Sequence, residues 1–273
     1  DLIIDCCAEP SIEASRKEID KVFNTNLIGT LNLLKKYSPR KTNIIFISSS
    51  RVYPIEKIRN KYTKNFNIKK KISKNFLINE FFSLDGARSL YGFTKYASEL
   101  LIQEFSYLYN FKYIINRCGV IAGPWQFGKI DQGFISLWLL KHMAQKKLNY
   151  IGYGGNGMQE RDILHIDDLC RLVLLQVKNI KKINNKIFTV GGGNKNKINL
   201  NNLTNMCQKI TKNKIKIGQI KKTSIYDIPS YISDNSKVKK VYKWSPIKNL
   251  NNIINDTYAW INDNKKKINK FIR

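Results

Sequence analysis

The order of short apolar runs and helical segments in the first 120 residues is the feature that most constrains the fold. Three apolar runs without alternation lie at residues 1–8, 43–47 and 111–116. Such runs are typical of parallel strands buried on both faces of a sheet. Between them, the apolar residues of segments 22–34 and 91–102 recur with the spacing of amphipathic helices. The order strand, helix, strand, helix, strand predicts an α/β fold with a doubly wound parallel sheet.

The remainder of the chain has a less regular pattern. Residues 54–83 are basic and of low periodicity, which predicts an inserted loop or an irregular flap. The later elements that we predict are a helix over 134–144, a Gly-rich turn over 152–161, a helix over 165–177, a strand over 186–190 and a helix over 200–210.

Length and composition exclude several classes of protein. With 273 residues, of which 42% are apolar, the chain can bury a core as one large domain or as a domain with a smaller lobe. No run of 18 apolar residues occurs, so we expect no membrane partner. The five cysteines show neither a Cys-x-x-Cys pair nor a zinc spacing, which favours a reducing cytoplasm. The two histidines lack a third ligand nearby, so we expect no metal site.

The net charge of +28 would fit a nucleic-acid partner. The lysines are dispersed, however, and Asn and Ile are over-used to a similar degree. This pattern favours a general compositional bias with lysines on solvated faces, so we expect no nucleic-acid partner. A positive field would nevertheless steer an anionic substrate towards the protein.

Tyr91 and Lys95 lie one helical turn apart on the same face of a predicted helix. A phenol with a pKa near 10 is a poor base at neutral pH, and a neighbouring ammonium stabilises the phenolate and lowers that pKa. The spacing Tyr-x-x-x-Lys occurs three times, but Pro39 and Pro54 lie inside the other two matches and disfavour a helix there. Tyr91 and Lys95 are therefore the candidate proton-transfer pair, and they follow a strand that ends in three serines, residues 48–50.

Ligands of parallel α/β sheets bind beyond the carboxyl ends of the strands. The segments at those ends are residues 6–8, 48–50 and 117–119, which we expect to converge on one crevice. A dinucleotide site also needs a Gly-rich turn between a strand and a helix, and no such motif precedes this sheet. Residues 191–193 are three glycines, but their spacing and late position predict a simple turn. We therefore expect the fold to be truncated at its amino terminus, without its first mononucleotide-binding half.

Several motifs together resemble the extended short-chain dehydrogenase/reductase family of nucleotide-sugar epimerases and dehydratases. They lie at residues 6–11, 26–30, 48–53, 91–95, 154–162 and 227–234. Within the family, residues 123–133 are most similar to the branch of the CDP-paratose 2-epimerases. The resemblance implies a Rossmann-like fold with a smaller mixed α/β substrate lobe, NAD as cofactor, a nucleotide-diphosphate sugar as substrate and a homodimer.

The resemblance also implies roles for individual residues. Tyr91 matches the acid/base tyrosine, Lys95 the lysine that lowers its pKa and holds the nicotinamide ribose, and Ser49 the hydroxyl that binds the reacting sugar oxygen. Arg161 matches the arginine that contacts the diphosphate, which suits the bidentate fork of a guanidinium. The implied cofactor-binding residues are Cys6, Cys7, Ala8, Asn26, Ser48, Tyr91, Lys95 and Cys118. The implied substrate-binding residues are Ser50, Gln126, Asp131, Gln132 and Arg161.

Two positions depart from the family pattern in an informative way. Ser224 stands where the family usually has an arginine, three residues before Asp227. Dehydratases carry acidic residues just after the catalytic hydroxyl, where this chain has Ser50 and Arg51, so dehydration is disfavoured.

We therefore predict an NAD-dependent nucleotide-sugar epimerase that works through a transient keto-sugar and resembles CDP-paratose 2-epimerase. The alternatives are another 4-epimerase, dehydratase or reductase of the same family, or a non-catalytic dinucleotide-sensing or scaffold protein. We assign residues 1–120 and 162–191 to the NAD-binding domain, and residues 121–161 and 192–273 to a substrate-binding lobe.

Overall fold

A computed structural model of the chain describes residues 1–69, 77–129 and 132–268. The strands in this part of the chain are β1 (Leu2–Asp5), β2 (Asn43–Ser49), β3 (Tyr113–Cys118), β4 (Val120–Ala122), β5 (Leu148–Ile151), β6 (Glu160–His165), β7 (Lys186–Val190), β8 (Lys197–Asn199), β9 (Ile217–Ile220) and β10 (Ser230–Tyr231).

The α-helices alternate with these strands, and a π-helical turn (Asn24–Ile28) precedes the third of them. They are α1 (Ala14–Lys17), α2 (Ile19–Phe23), α3 (Gly29–Tyr37), α4 (Ile55–Lys69), α5 (Leu90–Tyr109), α6 (Phe134–Met143), α7 (Ile166–Asn179), α8 (Leu200–Thr211), α9 (Ser236–Tyr242), α10 (Leu250–Asp263) and α11 (Lys265–Ile268). Within the described ranges, no helix is both long enough and apolar enough to span a membrane.

The main sheet is parallel and has the strand order β1-β2-β3-β7. Along β2, Phe46 faces α3 and α5 in one apolar cluster, whereas its neighbour Ile45 faces α7 and α9 in another. Since successive side chains of a strand point to opposite faces, helices cover the sheet on both sides. The predicted doubly wound α/β fold is confirmed.

The first strand lies at the edge of this sheet, and its described pairing is with β2 alone. Ile4 is 45% exposed, and the side chains of Cys6 and Cys7 are exposed beyond the end of the strand. The prediction of a strand buried on both faces is therefore wrong for β1. An unalternating apolar run does not reveal whether a strand has one neighbour or two.

A smaller mixed sheet has the order β10-β6-β4, and β8 pairs with β6 in antiparallel orientation. Strands β5 and β9 form a separate parallel pair. Helices α6, α8 and α10 pack together over this region through residues such as Leu139, Leu203 and Ile253. The predicted helices over 134–144 and 200–210 are confirmed, as is the strand over 186–190. The division of the chain into two domains stays a prediction.

The segment over 54–83 is helical in part, so the prediction of a wholly irregular flap is wrong. Helix α4 occupies Ile55–Lys69 and is held by long-range contacts. The Arg59 guanidinium donates hydrogen bonds to the backbone carbonyls of Ser224, Ile225 and Asp227 at 2.6–3.1 Å. Ile58, a residue of this helix, is buried. Because these partners are about 165 residues away in sequence, local periodicity does not reveal the helix.

The boundary between β6 and α7 also differs from the prediction. His165 is the last residue of β6, and its Nδ1 accepts a hydrogen bond from the backbone N–H of Asp167 at 3.0 Å. The histidine therefore caps α7 rather than lying within it. Similarly, the Gly-rich turn ends before Glu160, so Arg161 lies on a strand.

Candidate active site

The start of α5 brings Tyr91 to the carboxyl end of β2. Ser89 caps the helix, and its side chain accepts a hydrogen bond from the backbone N–H of Gly92 at 3.1 Å. A short 3₁₀ turn, Ser50–Val52, follows β2 and packs against this first helical turn. A Cβ on Gly92 would lie 2.1 Å from the carbonyl oxygen of Arg51. Only a glycine at this position lets the two segments come so close.

Ser49 and Tyr91 meet at this junction, where both side chains line one cavity. The Ser49 hydroxyl also accepts a hydrogen bond from the backbone N–H of Arg51 at 3.2 Å, which fixes its position. Burial raises the pKa of Tyr91, while the hydrogen bond from Ser49 and the charge of Arg51 oppose that rise. The Tyr91 phenol and the Ser49 hydroxyl therefore line a cavity to which Arg51 adds a positive charge.

Lys95 lies one turn further along α5 and is almost completely buried, with 2% of its surface exposed. Its Nζ is 3.8 Å from the centre of the Phe46 ring. Burial lowers the pKa of Lys95 to about 8, although the carboxylates of Asp5 and Glu99 favour the charged form. Its ammonium makes no hydrogen bond to another residue of the described ranges. The charge of Arg51 lowers the pKa of Tyr91, and the predicted effect of Lys95 on the same pKa stays a prediction.

The other predicted cofactor-binding residues fall into two groups. Cys6, Cys7 and Ala8 follow β1 at the carboxyl edge of the sheet, where Cys6 and Cys7 are exposed. By contrast, Cys118 is buried, and burial raises the pKa of its thiol to about 12. A buried thiol with a raised pKa is not reactive at neutral pH, and the predicted contact of Cys118 with the cofactor stays a prediction.

Asn26 and Ser48 are buried, and their polar groups are used inside the protein. The Asn26 amide accepts a hydrogen bond from the Glu9 backbone N–H at 2.7 Å and donates to the Glu9 carbonyl at 3.1 Å and to Thr94 Oγ1 at 3.0 Å. The Ser48 hydroxyl donates to the Glu99 carboxylate. Both side chains thus shape the segments around the site, and both amide N–H groups of Asn26 are used within the protein.

Of the predicted substrate-binding residues, four line one cavity of about 620 Å³ together with Ser49 and Tyr91. They are Ser50, Gln126, Gln132 and Arg161. Asp131 lies outside the described residues. The Arg161 guanidinium donates to the Asp227 carboxylate at 3.0 Å and to the Ile228 carbonyl at 2.9 Å. The cavity therefore unites residues that are separated by more than one hundred positions in the sequence.

A buried ion pair behind the cavity was not apparent from the sequence. The Arg117 guanidinium donates three hydrogen bonds of 2.7–3.2 Å to the Glu99 carboxylate. Burial alone would lower the pKa of Arg117, but Glu99 raises it well above its usual range. The one available signal was a glutamate on the apolar face of a predicted helix, four residues after Lys95. The pair joins α5 to β3 and supports the segment that carries Tyr91.

A guanidinium lies beside Ser224, the position at which the family usually has an arginine. It belongs to a residue of α4 and not to position 224 itself. Arg59 on α4 donates through Nη2 to the Ser224 carbonyl at 3.1 Å. Its other hydrogen bonds go to the carbonyls of Ile225 and Asp227. This arginine therefore fixes the loop that carries Asp227, the partner of Arg161.

The model of the NAD dependent epimerase/dehydratase family matches residues 1–191. The chain belongs to this family. The predicted family, the NAD cofactor and the assignment as an enzyme of the epimerase type are thus confirmed. A cytoplasmic location stays a prediction.

Individual proteins of known name are similar over most of the chain. The CDP-paratose 2-epimerase of Salmonella typhi is 28% identical over 245 residues, which cover 82% of this chain and 71% of that protein. The structure of a UDP-glucose 4-epimerase from Thermotoga maritima with UDP-glucose superposes with a TM-score of 0.78 at 22% identity, covering 97% and 78% of the two chains. A UDP-glucuronic acid 4-epimerase from Bacillus cereus in complex with UDP-glucuronic acid and NAD gives 0.77 at 22% identity, covering 96% and 76%. The two structural similarities show that the Rossmann-like fold is shared.

The residues at the carboxyl edge of the main sheet fit the nicotinamide half of an NAD molecule. The side chain of Lys95 is 2% exposed, and its ammonium donates no hydrogen bond to another of the residues described. A ribose hydroxyl is an acceptor that would satisfy it. The Tyr91 phenol lies on the same face of α5, and exposed residues 6 and 7 leave the sheet edge accessible. Tyr91 and Lys95 are thus the residues that would hold the ribose.

Proposed function

We propose that this protein is an epimerase of nucleotide-diphosphate sugars and that its substrate is of the CDP-paratose type. The observation that carries the proposal is that Ser49, Tyr91 and Arg161 line one cavity of about 620 Å³. An acid/base group, a group that orients a hydroxyl and a guanidinium for a diphosphate are the components that such a reaction requires. The similarity to CDP-paratose 2-epimerase supports the substrate type.

In the proposed reaction, the Tyr91 phenolate takes the proton of a sugar hydroxyl at its oxygen, and Ser49 orients that hydroxyl by a hydrogen bond. Bound NAD supplies an acceptor for the hydride of the same carbon and later a donor that returns it. Arg161 holds the diphosphate while the keto-sugar turns, so that the hydride would return to the opposite face of the carbonyl carbon. Tyr91 then gives the proton back to the sugar oxygen, so that the configuration of the carbon is inverted without net oxidation.

Epimerisation is favoured over dehydration by the residues after Ser49. Loss of water needs an acid and a base beside the sugar, and these are usually carboxyl groups. Ser50 and Arg51 occupy this part of the cavity instead. Another 4-epimerase, dehydratase or reductase activity is a possible outcome of the substrate test below.

The decisive experiment combines a substrate panel with two tyrosine variants. The chain with added NAD is incubated with CDP-paratose, UDP-glucose and UDP-glucuronate, and sugar products are identified by NMR. Tyr91→Phe is expected to lower kcat by about a hundredfold or more with an unchanged Kd for the sugar nucleotide. Tyr109→Phe is the matched control, because Tyr109 is on the same helix and does not line the cavity.

Two results would contradict the proposal. An active Tyr91→Phe variant would exclude the acid/base role. A wild-type chain that binds NAD but turns over no member of the panel, and forms no enzyme-bound reduced cofactor, would support the non-catalytic alternative.

We also propose that the protein forms a homodimer through the exposed face of α5. Phe93, Leu100 and Tyr107 are exposed apolar residues at intervals of seven, so they form a stripe along one side of the helix. Leu108 is 70% exposed beside them. A second copy of the same helix would cover this stripe, as is common in two-fold symmetric dimers.

A further inference from the structure

The loop between β9 and β10 is held by guanidinium groups from three other elements. Its residues 224–228, here called the anchored loop, have five successive carbonyls that each accept a hydrogen bond from an arginine at 2.6–3.1 Å. The carbonyl of residue 226 accepts from Arg51, and that of residue 228 accepts from Arg161. The other three accept from Arg59 of α4, so one side chain holds most of the loop.

Helix α4 is a fixed support for Arg59. Its first residue, Ile55, donates a backbone hydrogen bond to the Ala87 carbonyl at 3.1 Å, and Ile58 is buried. The Arg59 guanidinium donates to the Asp227 carbonyl through Nε at 3.0 Å and through Nη2 at 2.6 Å. Because the donors of a guanidinium form a rigid planar fork, two such contacts define its orientation. Arg59 therefore sets the position of the Asp227 backbone relative to α4.

The side chain of Asp227 connects the anchored loop to the catalytic cavity. Its Oδ1 accepts a hydrogen bond from Arg161 Nη2 at 3.0 Å, and its Oδ2 accepts one from Gln159 Nε2 at 3.3 Å. These three residues line the cavity of about 620 Å³. Arg59 lines a neighbouring cavity of about 570 Å³, of which Gln159 is also a wall. Arg59 is thus connected to the substrate cavity through the anchored loop.

Arg161 keeps donors for a ligand in this arrangement. A guanidinium carries five N–H groups, and Arg161 uses three of them, for the Glu160 carbonyl, the Asp227 carboxylate and the Ile228 carbonyl. Two N–H groups are left to bind a diphosphate. Two of the three acceptors belong to the anchored loop, so a shift of this loop changes the direction in which the free N–H groups point.

We propose that Arg59 is a positioning residue for Arg161. It fixes the anchored loop, and through Asp227 and the Ile228 carbonyl it keeps the free N–H groups of Arg161 directed at the substrate diphosphate. The proposal rests on the epimerase function above, in which Arg161 is the diphosphate ligand. The rival role for Arg59 is direct binding of the diphosphate, in place of the arginine that the family usually has at position 224.

The test is a double-mutant cycle on binding. The chain with saturating NAD is titrated with CDP and with UDP in a calorimeter, and the tighter of the two is the probe. Arg59→Gln is expected to raise the Kd of the probe about tenfold, because a small displacement of a binding group has effects of this size. In an Arg161→Gln background the same substitution should change the Kd less than about twofold, since the group that Arg59 positions is absent.

Steady-state kinetics with the sugar nucleotide provides a second readout. Arg59→Gln is expected to raise KM about tenfold and to leave kcat within about twofold, which is the pattern of lost ground-state binding. Arg59→Lys should fall between the wild type and Arg59→Gln, because it keeps a donor but not the fork. Lys57→Gln is the matched control: it removes a cation of the same helix whose partner, Asp85, is exposed, and both constants should stay unchanged. Where Arg59→Gln does not fold, Arg59→Lys takes its place in the cycle.

The outcomes separate this proposal from the proposed function. An Arg59→Gln effect of equal size in both backgrounds would overturn the proposal, because Arg59 would then act independently of Arg161. An epimerase in which Arg59→Gln leaves the Kd of the probe unchanged would contradict this proposal alone. Full coupling of the two arginines in a chain that turns over no sugar nucleotide would contradict the proposed function alone. A chain that binds neither CDP nor UDP would contradict both.

Discussion

The Arg117 guanidinium and the Glu99 carboxylate form an ion pair in the protein interior, with 2.7 Å between Nη2 and Oε2. Their side chains are 3% and 0% exposed. The Ser48 hydroxyl donates to the same carboxylate, and the guanidinium lies 5.3 Å from the centre of the Tyr53 ring. This pair connects the helix of Tyr91 to the two central strands of the main sheet, so the candidate active site depends on it for its shape.

Removing the acidic partner of this pair should destabilise the protein strongly. Glu99→Gln leaves the Arg117 guanidinium buried without a counter-charge, which costs about 3–5 kcal/mol of unfolding free energy. Urea unfolding at pH 7 measures the loss. Glu13→Gln is the control, since the pair of Glu13 with Lys17 is largely exposed and its loss costs less than about 1 kcal/mol. Equal effects of the two substitutions would show that Arg117 finds another partner or solvent.

Lys95 should be unfavourable for stability although the proposed function needs it. Its pKa of about 8 in the folded chain is below its ordinary value of 10.5, so the unfolded chain binds more protons between these pH values. The penalty is fully present below pH 8 and disappears as pH rises to about 10.5. Lys95→Met should therefore raise the unfolding free energy by about 1–3 kcal/mol at pH 7. The same urea experiment near pH 10 should give a smaller difference, and a difference independent of pH would contradict the assignment.

The cysteines should differ in reactivity according to their position. Cys6, Cys7 and Cys170 are exposed, whereas Cys118 and Cys207 are buried and burial raises the pKa of each to about 12. A disulfide exchange reagent at pH 8 is expected to modify the three exposed thiols rapidly and the other two only after unfolding. Mass spectrometry of the modified peptides identifies each residue.

The same experiment locates the cofactor independently of activity. Bound NAD is expected to slow the modification of Cys6 and Cys7, which follow β1 at the sheet edge, while Cys170 on α7 serves as the internal reference. Equal rates for all three thiols with and without NAD, at a concentration where binding is saturated, would place the nicotinamide half elsewhere.

A charge on the exposed face of α5 should prevent self-association. Leu100→Glu places a carboxylate in the centre of the stripe formed with Phe93 and Tyr107, and burying it against a second copy would be costly. Sedimentation velocity is expected to show a dimer for the wild type and a monomer for the variant. Leu174→Glu, at an exposed leucine of α7, is the control and should leave the dimer intact. A wild type that is monomeric at all concentrations would refute the proposed interface.

The sequence predicts the parts of the site that depend on local pattern. The apolar spacing of α5 places Tyr91 and Lys95 on one helix face, and the apolar run of β2 predicts a strand that ends at the serines. Both features depend on neighbours within about ten residues. The doubly wound sheet also follows from the order of such local elements, and it is confirmed.

The parts that could not be predicted depend on contacts between distant residues. Ser48 and Ser49 are adjacent, but only the position of Glu99 shows that the hydroxyl of Ser48 is used in the interior. Helix α4 has weak apolar periodicity, and Arg59 holds it through carbonyls of residues 224–227. The direction in which Lys95 points likewise depends on Phe46, at the opposite end of a strand-to-helix connection.

Gly92 gives the site an unusual vulnerability. In the interior of a helix, alanine is ordinarily a better residue than glycine by about 1 kcal/mol. At this position any side chain would collide with the Arg51 carbonyl, 2.1 Å from its first carbon atom, and would push the turn away from α5. A collection of all substitutions at position 92, sorted for activity, should thus return glycine alone. The smallest residue in the chain decides whether two segments that lie forty residues apart in sequence can meet at the wall of one cavity.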